Sequence, residues 1–87
     1  MEKYIGLAIR ANACVFGTDN ILSCKKKQYV IVLDTTLSQN AKNKLVAFAQ
    51  KHNCEIKEVG LLEEVVHKPG VKAISITNEN LAKQITK

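Results

Sequence analysis

Gly17 is followed by Thr18, Asp19 and Asn20, three short polar side chains, and then by Lys25, Lys26 and Lys27. A glycine lets a backbone come close to a phosphate, and hydroxyl and amide groups on a first helical turn can reach base edges. Lysines neutralise phosphates and release their counterions. Together these residues describe recognition of a polyanion and contain no bond-breaking machinery. The same residues also have a purely structural use. Thr18 or Asp19 can cap a helix, and a lysine run suits the negative end of the helix dipole.

The remaining reactive side chains give no catalytic set. No dinucleotide-binding G-x-G-x-x-G, no phosphate-binding G-x-x-x-x-G-K-[ST] and no G-x-S-x-G turn occurs. His52 and His67 fall at the ends of expected helices, where they suit terminal carbonyls better than proton transfer. Asp34 closes an apolar strand, a position where ligands gather in open α/β sheets. It has no partner base, so the expectation is a loop or cap acceptor. Glu63-Glu64 reads as a solvated acidic pair. Cys14, Cys24 and Cys54 are an odd set without a C-x-x-C pair, and His52-x-Cys54 supplies only two ligands. The expectation is three reduced thiols, with no metal site, no cofactor and no catalytic residue.

With 87 residues, the chain has the length of one domain spanning residues 1–87. Such a chain buries only about 60–65% of its unfolded surface, so the core is thin. Apolar content of 46% and charged content of 24% are ordinary for a folded protein. No apolar run approaches the ~18 residues of a membrane span, and Met1-Glu2-Lys3-Tyr4 starts no apolar signal region. The expected compartment is therefore the cytoplasm, with no membrane partner. The net charge of +5 is unevenly placed: residues 1–44 carry seven bases and three acids, residues 45–87 six and five. The first half is the better place for a polyanion, although +5 also serves plain solubility.

Turn signals divide the chain into alternating elements. Tyr4, Leu7, Ala8 and Ala11 predict a helix over residues 2–12, and residues 13–16 a short strand ending at Gly17. A second helix follows from Thr18 or Asp19 and closes with Lys25, Lys26 and Lys27. Tyr29-Val30-Ile31-Val32-Leu33 predicts a central strand covered on both faces. Thr36-x-x-Gln39 has capping-box spacing, with Ser38 the competing cap, for a long helix ending near His52-Asn53. Residues 55–59 alternate and suit a strand near an edge. A short helix over 61–66, a turn at Pro69-Gly70, a strand over 73–77 and a helix capped by Asn78 complete the order. That order predicts the α/β class: a three-layer α-β-α sandwich with a small four-stranded mixed sheet.

In this arrangement the residues resemble a known family. Ile5-Gly6-Leu7-Ala8-Ile9-Arg10-Ala11 is similar to the opening of bacterial members of the kink-turn-binding ribosomal protein family, the L-seven-Ae and L-thirty-e type. The likeness continues through Gly17, residues 30–33, Ser38-Gln39-Asn40-Ala41-Lys42-Asn43-Lys44, Ile76-Thr77-Asn78 and Leu81-Ala82-Lys83. The resemblance implies an α/β/α sandwich that binds ribosomal or other structured RNA. In the family, a Gly-x-Asn-Glu turn and a lysine three residues on contact tandem sheared G·A pairs, and an apolar residue before the last strand meets an extruded base.

Carried over, Gly17 and Thr18 fit, while Asp19 stands where Asn is usual, Asn20 where Glu is usual and Ser23 where Lys is usual. Thr36 stands where many members have an acid. Val66-His67-Lys68-Pro69-Gly70-Val71 lacks the usual Leu-Gly…Gly spacing, and Val71 is the residue left for the apolar contact. An acceptor-only carboxylate beside phosphates weakens binding. The expected function is a non-enzymatic RNA-binding protein of ribosomal or ribonucleoprotein type. Its expected contacts are Gly17, Thr18, Asp19, Asn20, Lys25, Lys26, Lys27, Val71 and Lys72, and structured RNA or the ribosome is its partner. No small-molecule substrate is expected. The alternatives are a protein-interaction module on the same fold and, with less to support it, a subunit of an RNA-modifying enzyme.

Overall fold

Five consecutive buried residues, Val30 to Asp34, form the strand around which the rest is arranged. The computed structural model describes residues 2–86. Its elements run α1 (Glu2–Arg10), β1 (Cys14–Phe16), α2 (Thr18–Ser23), β2 (Val30–Asp34), α3 (Gln39–His52), β3 (Glu55–Val59), α4 (Leu62–Val66), β4 (Ala73–Ile76) and α5 (Glu79–Thr86). The four strands form one sheet in the order β1-β4-β2-β3. β4 is antiparallel to both β1 and β2, and β3 runs parallel to β2 through the α3 crossover. The sheet is therefore mixed, and the fold is an α/β sandwich.

Alternation along β2 and β4 divides the core into two layers. Val30, Val32, Ile74 and Ile76 join Ile5, Leu62 and Ile85 beneath α1, α4 and α5. Ile31, Leu33 and Ala73 face the other way, against Ile21 of α2 and Leu45 and Ala49 of α3. Burying each large aliphatic side chain contributes about 1.5–3 kcal/mol, so β2 holds both layers. β3 lies at the sheet edge, as expected, but its burial does not alternate: Ile56, Lys57 and Val59 are half-buried, with Ile56 in the α2–α3 layer and Val59 in the other.

Local signals set most boundaries. α1 ends at Arg10, two residues short of expectation, because Asn12 turns left-handed (φ 56°) while Ala13 N–H donates to the Ala8 carbonyl. Asn78 caps α5 by accepting from Leu81 N–H at 3.0 Å. Neither Thr18 nor Asp19 caps α2, whose N-cap is Gly17 with no side-chain hydrogen bond, and of the two caps offered for α3 one forms. The Thr36-x-x-Gln39 capping box does not form: Ser38 caps α3 through Ala41 N–H, and Thr36 bonds the Asp34 carboxylate instead. α2 stops at Ser23, so Lys25, Lys26 and Lys27 lie outside any helix. There Cys24 turns extended, and the buried Gln28 amide donates to the Ile21 carbonyl at 3.1 Å, occupying an acceptor a continued helix would need.

Candidate nucleic-acid interface

Strand register decides which of the expected contact residues meet. Phe16 pairs with Ile74, and Gly17 N–H donates to the Ala73 carbonyl at 2.9 Å. The turn at residues 17–20 is thereby set beside Val71 and Lys72, at the sheet end where Asp34 closes β2. Val30 begins β2 opposite Ile76 and Glu55, so Lys25, Lys26 and Lys27 approach the sheet from its other end. The structure brings Gly17, Thr18, Val71 and Lys72 together and keeps the three lysines apart from them.

Gly17 has φ 91° and ψ 146°, a conformation strained for any L side chain, and this opens the tight turn into α2. Thr18 is half-buried, and Asp19 and Asn20 are exposed. The Asn20 amide donates one N–H to the Phe16 carbonyl at 2.8 Å, which leaves its second N–H and its carbonyl oxygen free to bond. α2 has six residues. Contacts here must come from side chains and the turn backbone rather than from a helix dipole.

Across the turn, the Lys72 ammonium is shared between Glu63 at 3.0 Å and the Thr36 hydroxyl at 3.0 Å. Glu63 holds the Lys72 ammonium above its ordinary value, and Lys72 draws the Glu63 carboxyl below its own. Behind them Asp34 accepts from Thr36 N–H (2.8 Å), the Thr36 hydroxyl (2.6 Å) and Leu62 N–H (2.9 Å). The Thr36 hydrogen bonds first, and then the other donors and Lys72, hold its carboxyl below the usual aspartate value. Asp34 is thus the cap acceptor its sequence position suggests. Lys68 lies 4.2 Å above the Phe16 ring, a cation–π contact that draws the loop over β1. Val71 is half-buried. This end carries Lys68 and Lys72 against Asp19, Asp34 and Glu63, so it offers shape and hydrogen bonds more than charge.

At the opposite end, Lys25, Lys26 and Lys27 line a cavity of about 290 Å³ together with Phe48 and His52 of α3. The Phe48 and His52 rings stack with centroids 4.3 Å apart. His52 stands at the end of α3, where its sequence position puts it, and Phe48 lies one turn before it. Their i, i+4 spacing is the signal that puts both on one helix face.

Neither Cys14 nor Cys54 is an activated nucleophile. Burial pushes the Cys14 thiol up to about 12 and raises Cys54, whose S–H donates to the Gln28 carbonyl at 2.9 Å. All three cysteines are free and half-buried. With so little thiolate at pH 8, native Cys14 is expected to react with an aromatic disulfide reagent about a thousandfold more slowly than in the urea-unfolded chain. Equal rates in the two states would contradict this placement. Among the described residues, no group of three or more His, Cys, Asp or Glu side chains could hold a metal ion, and no helix is long and apolar enough to cross a membrane.

No protein-family model matches the sequence, and no curated protein matches it either. Among solved structures, a Bacillus halodurans protein of unknown function superposes with a TM-score of 0.89 at 18% sequence identity, covering 98% of this chain and 91% of that one. This likeness extends to the fold.

Proposed function

We propose that the chain is a non-enzymatic RNA-binding protein that docks a structured RNA, ribosomal or of the kink-turn type, on the sheet end where residues 17–20 meet residues 68–72. The observation that carries this reading is the β1–β4 register, which sets Gly17 and Thr18 beside Val71 and Lys72. Those are the two segments through which the family that the sequence resembles contacts RNA. In this docking the Gly17 turn admits the RNA backbone. The Thr18 hydroxyl and Asn20 carbonyl oxygen address base edges, Asp19 accepts only, and Val71 meets an unstacked base. Lys72 exchanges Glu63 for a phosphate. Such a ribonucleoprotein would work in the cytoplasm.

A second reading, a protein-interaction module that keeps the fold, is favoured by one feature. The docking end holds three acids against two lysines, and one of those lysines is already paired with Glu63. One measurement separates the two readings: affinity for a kink-turn RNA and for the same RNA with its G·A pairs replaced, across salt. The expected result is about tenfold or greater preference for the intact kink-turn, the worth of one good base contact. Lys72→Ala should reduce the log–log salt slope by about 0.7–0.9, one phosphate's worth. Equal affinity for both RNAs would remove kink-turn specificity, and binding to neither would favour the protein-partner reading.

A further inference from the structure

We infer that the cavity at the opposite end of the sheet is a separate binding site for single-stranded RNA, with Lys25, Lys26 and Lys27 on the phosphates and a base against the His52–Phe48 stack. The two ends are separated by the length of β2, about 13 Å for the four ~3.3 Å rises between its five residues. The molecule measures 29 × 25 × 22 Å, so the ends face different parts of a ligand.

Three features carry the inference. Among the described residues, the three ion pairs use Lys42, Lys72 and Lys83, and none involves residues 25–27. All three of these lysines are exposed and border one concavity, because α2 stops at Ser23 and the chain passes a bend at Lys26 on its way to β2. The concavity also holds an aromatic–imidazole stack, with His52 exposed, and stacking platforms beside cations are the means by which single strands are held without sequence preference. Lys27 additionally lies 5.4 Å from the Tyr29 ring centroid. The acid nearest in the register is the exposed Glu55, whose N–H bonds the Tyr29 carbonyl; it is one charge against three.

The inference rests on the RNA-binding reading only in choosing RNA over another polyanion, and it uses none of the same residues. The test is fluorescence anisotropy of a labelled oligoadenylate RNA of roughly ten nucleotides, too short and too simple to form a kink-turn. It is titrated with the full chain between about 50 and 200 mM salt. The expected result is salt-dependent binding whose slope falls by about 2 in the Lys25→Ala/Lys26→Ala/Lys27→Ala variant, at ~0.7 per phosphate, with tenfold or greater loss of affinity at low salt. His52→Ala should cost about fivefold or more at every salt concentration without changing the slope, and His52→Phe should restore it. Lys72→Ala should leave this binding unchanged.

An unbound oligonucleotide, a triple variant that matches the native chain, or loss through Lys72→Ala alone would each overturn the inference. So would inorganic polyphosphate competing as well as RNA of equal charge together with no effect of His52→Ala, which would mean phosphate contact alone. Kink-turn affinity is measured separately, so either site can fail without the other.

Discussion

Asp34→Ala is expected to lower unfolding free energy by about 2–3 kcal/mol at pH 7, read as a fall in the urea midpoint with an unchanged slope. Asp34 is 3% exposed and serves three donors from two segments, Thr36 N–H and hydroxyl on its own loop and Leu62 N–H at the start of α4. The exposed Thr36 groups can turn to water. Leu62 is fully buried, so its N–H cannot, and the variant leaves that donor unpaired and α4 uncapped. A chain of 87 residues at ~0.05–0.15 kcal/mol per residue has about 4–13 kcal/mol in total, so the loss is a large share. Asp34→Asn should fall between the two, since an amide still accepts from Thr36 but turns an N–H towards Leu62.

The same residue governs acid sensitivity. Its carboxyl titrates lower in the folded state than in the unfolded chain, where aspartate titrates near ~3.9. The unfolded state therefore binds the proton first as pH falls. The contribution of Asp34 is fully present above about pH 4 and is lost as pH falls through the lowered folded value. Asp34→Ala should show a shallower loss of stability between neutral and acid pH than the native chain. Parallel pH profiles for the two proteins would refute this account.

Gln28→Ala should cost a similar 2–3 kcal/mol, although nothing about an isolated glutamine in the sequence suggests it. Gln28 is nearly fully buried; it accepts from the Ser75 hydroxyl and donates to the Ile21 carbonyl, linking α2 to β4. Ser75 is fully buried in the central strand β4. Removing Gln28 strands its hydroxyl in the α2–α3 layer, next to Ile31 and Leu33. The discriminating measurement is a double-mutant cycle with Ser75→Ala. Once both partners are apolar no buried group is left unpaired, so the double variant should be less destabilised than the two single losses added, by about 1 kcal/mol or more. Strict additivity would mean that the pair is not coupled.

The elements were legible because their signals are local. The apolar run of β2, Ser38 before α3 and Asn78 before α5 each act within a few residues of where they stand. Two local outcomes were decided by competition between neighbours. Ser38 took α3 while Thr36 was drawn to Asp34, and Gln28 claimed the carbonyl that would have extended α2. In each case a partner outside the motif offered a buried acceptor or donor that the motif could not satisfy.

Sequence alone determined the α/β class, the central position of β2, the cap-acceptor role of Asp34 and the positive charge concentrated in residues 1–44. It also named Gly17, Thr18, Val71 and Lys72 on one side and Lys25, Lys26 and Lys27 on the other, but not the Phe48–His52 pair beside those lysines. Only the tertiary structure decided that these form two separate ends. Antiparallel pairing of β4 with β1 carries residues 71–72 to the Gly17 turn, while the return of the chain along α2 delivers the lysines to the far end of the sheet. The physical reason is that register and strand order are set by which apolar faces bury together. Residues as far apart as Gln28 and Ser75, or Thr36 and Lys72, meet only after that burial has been satisfied.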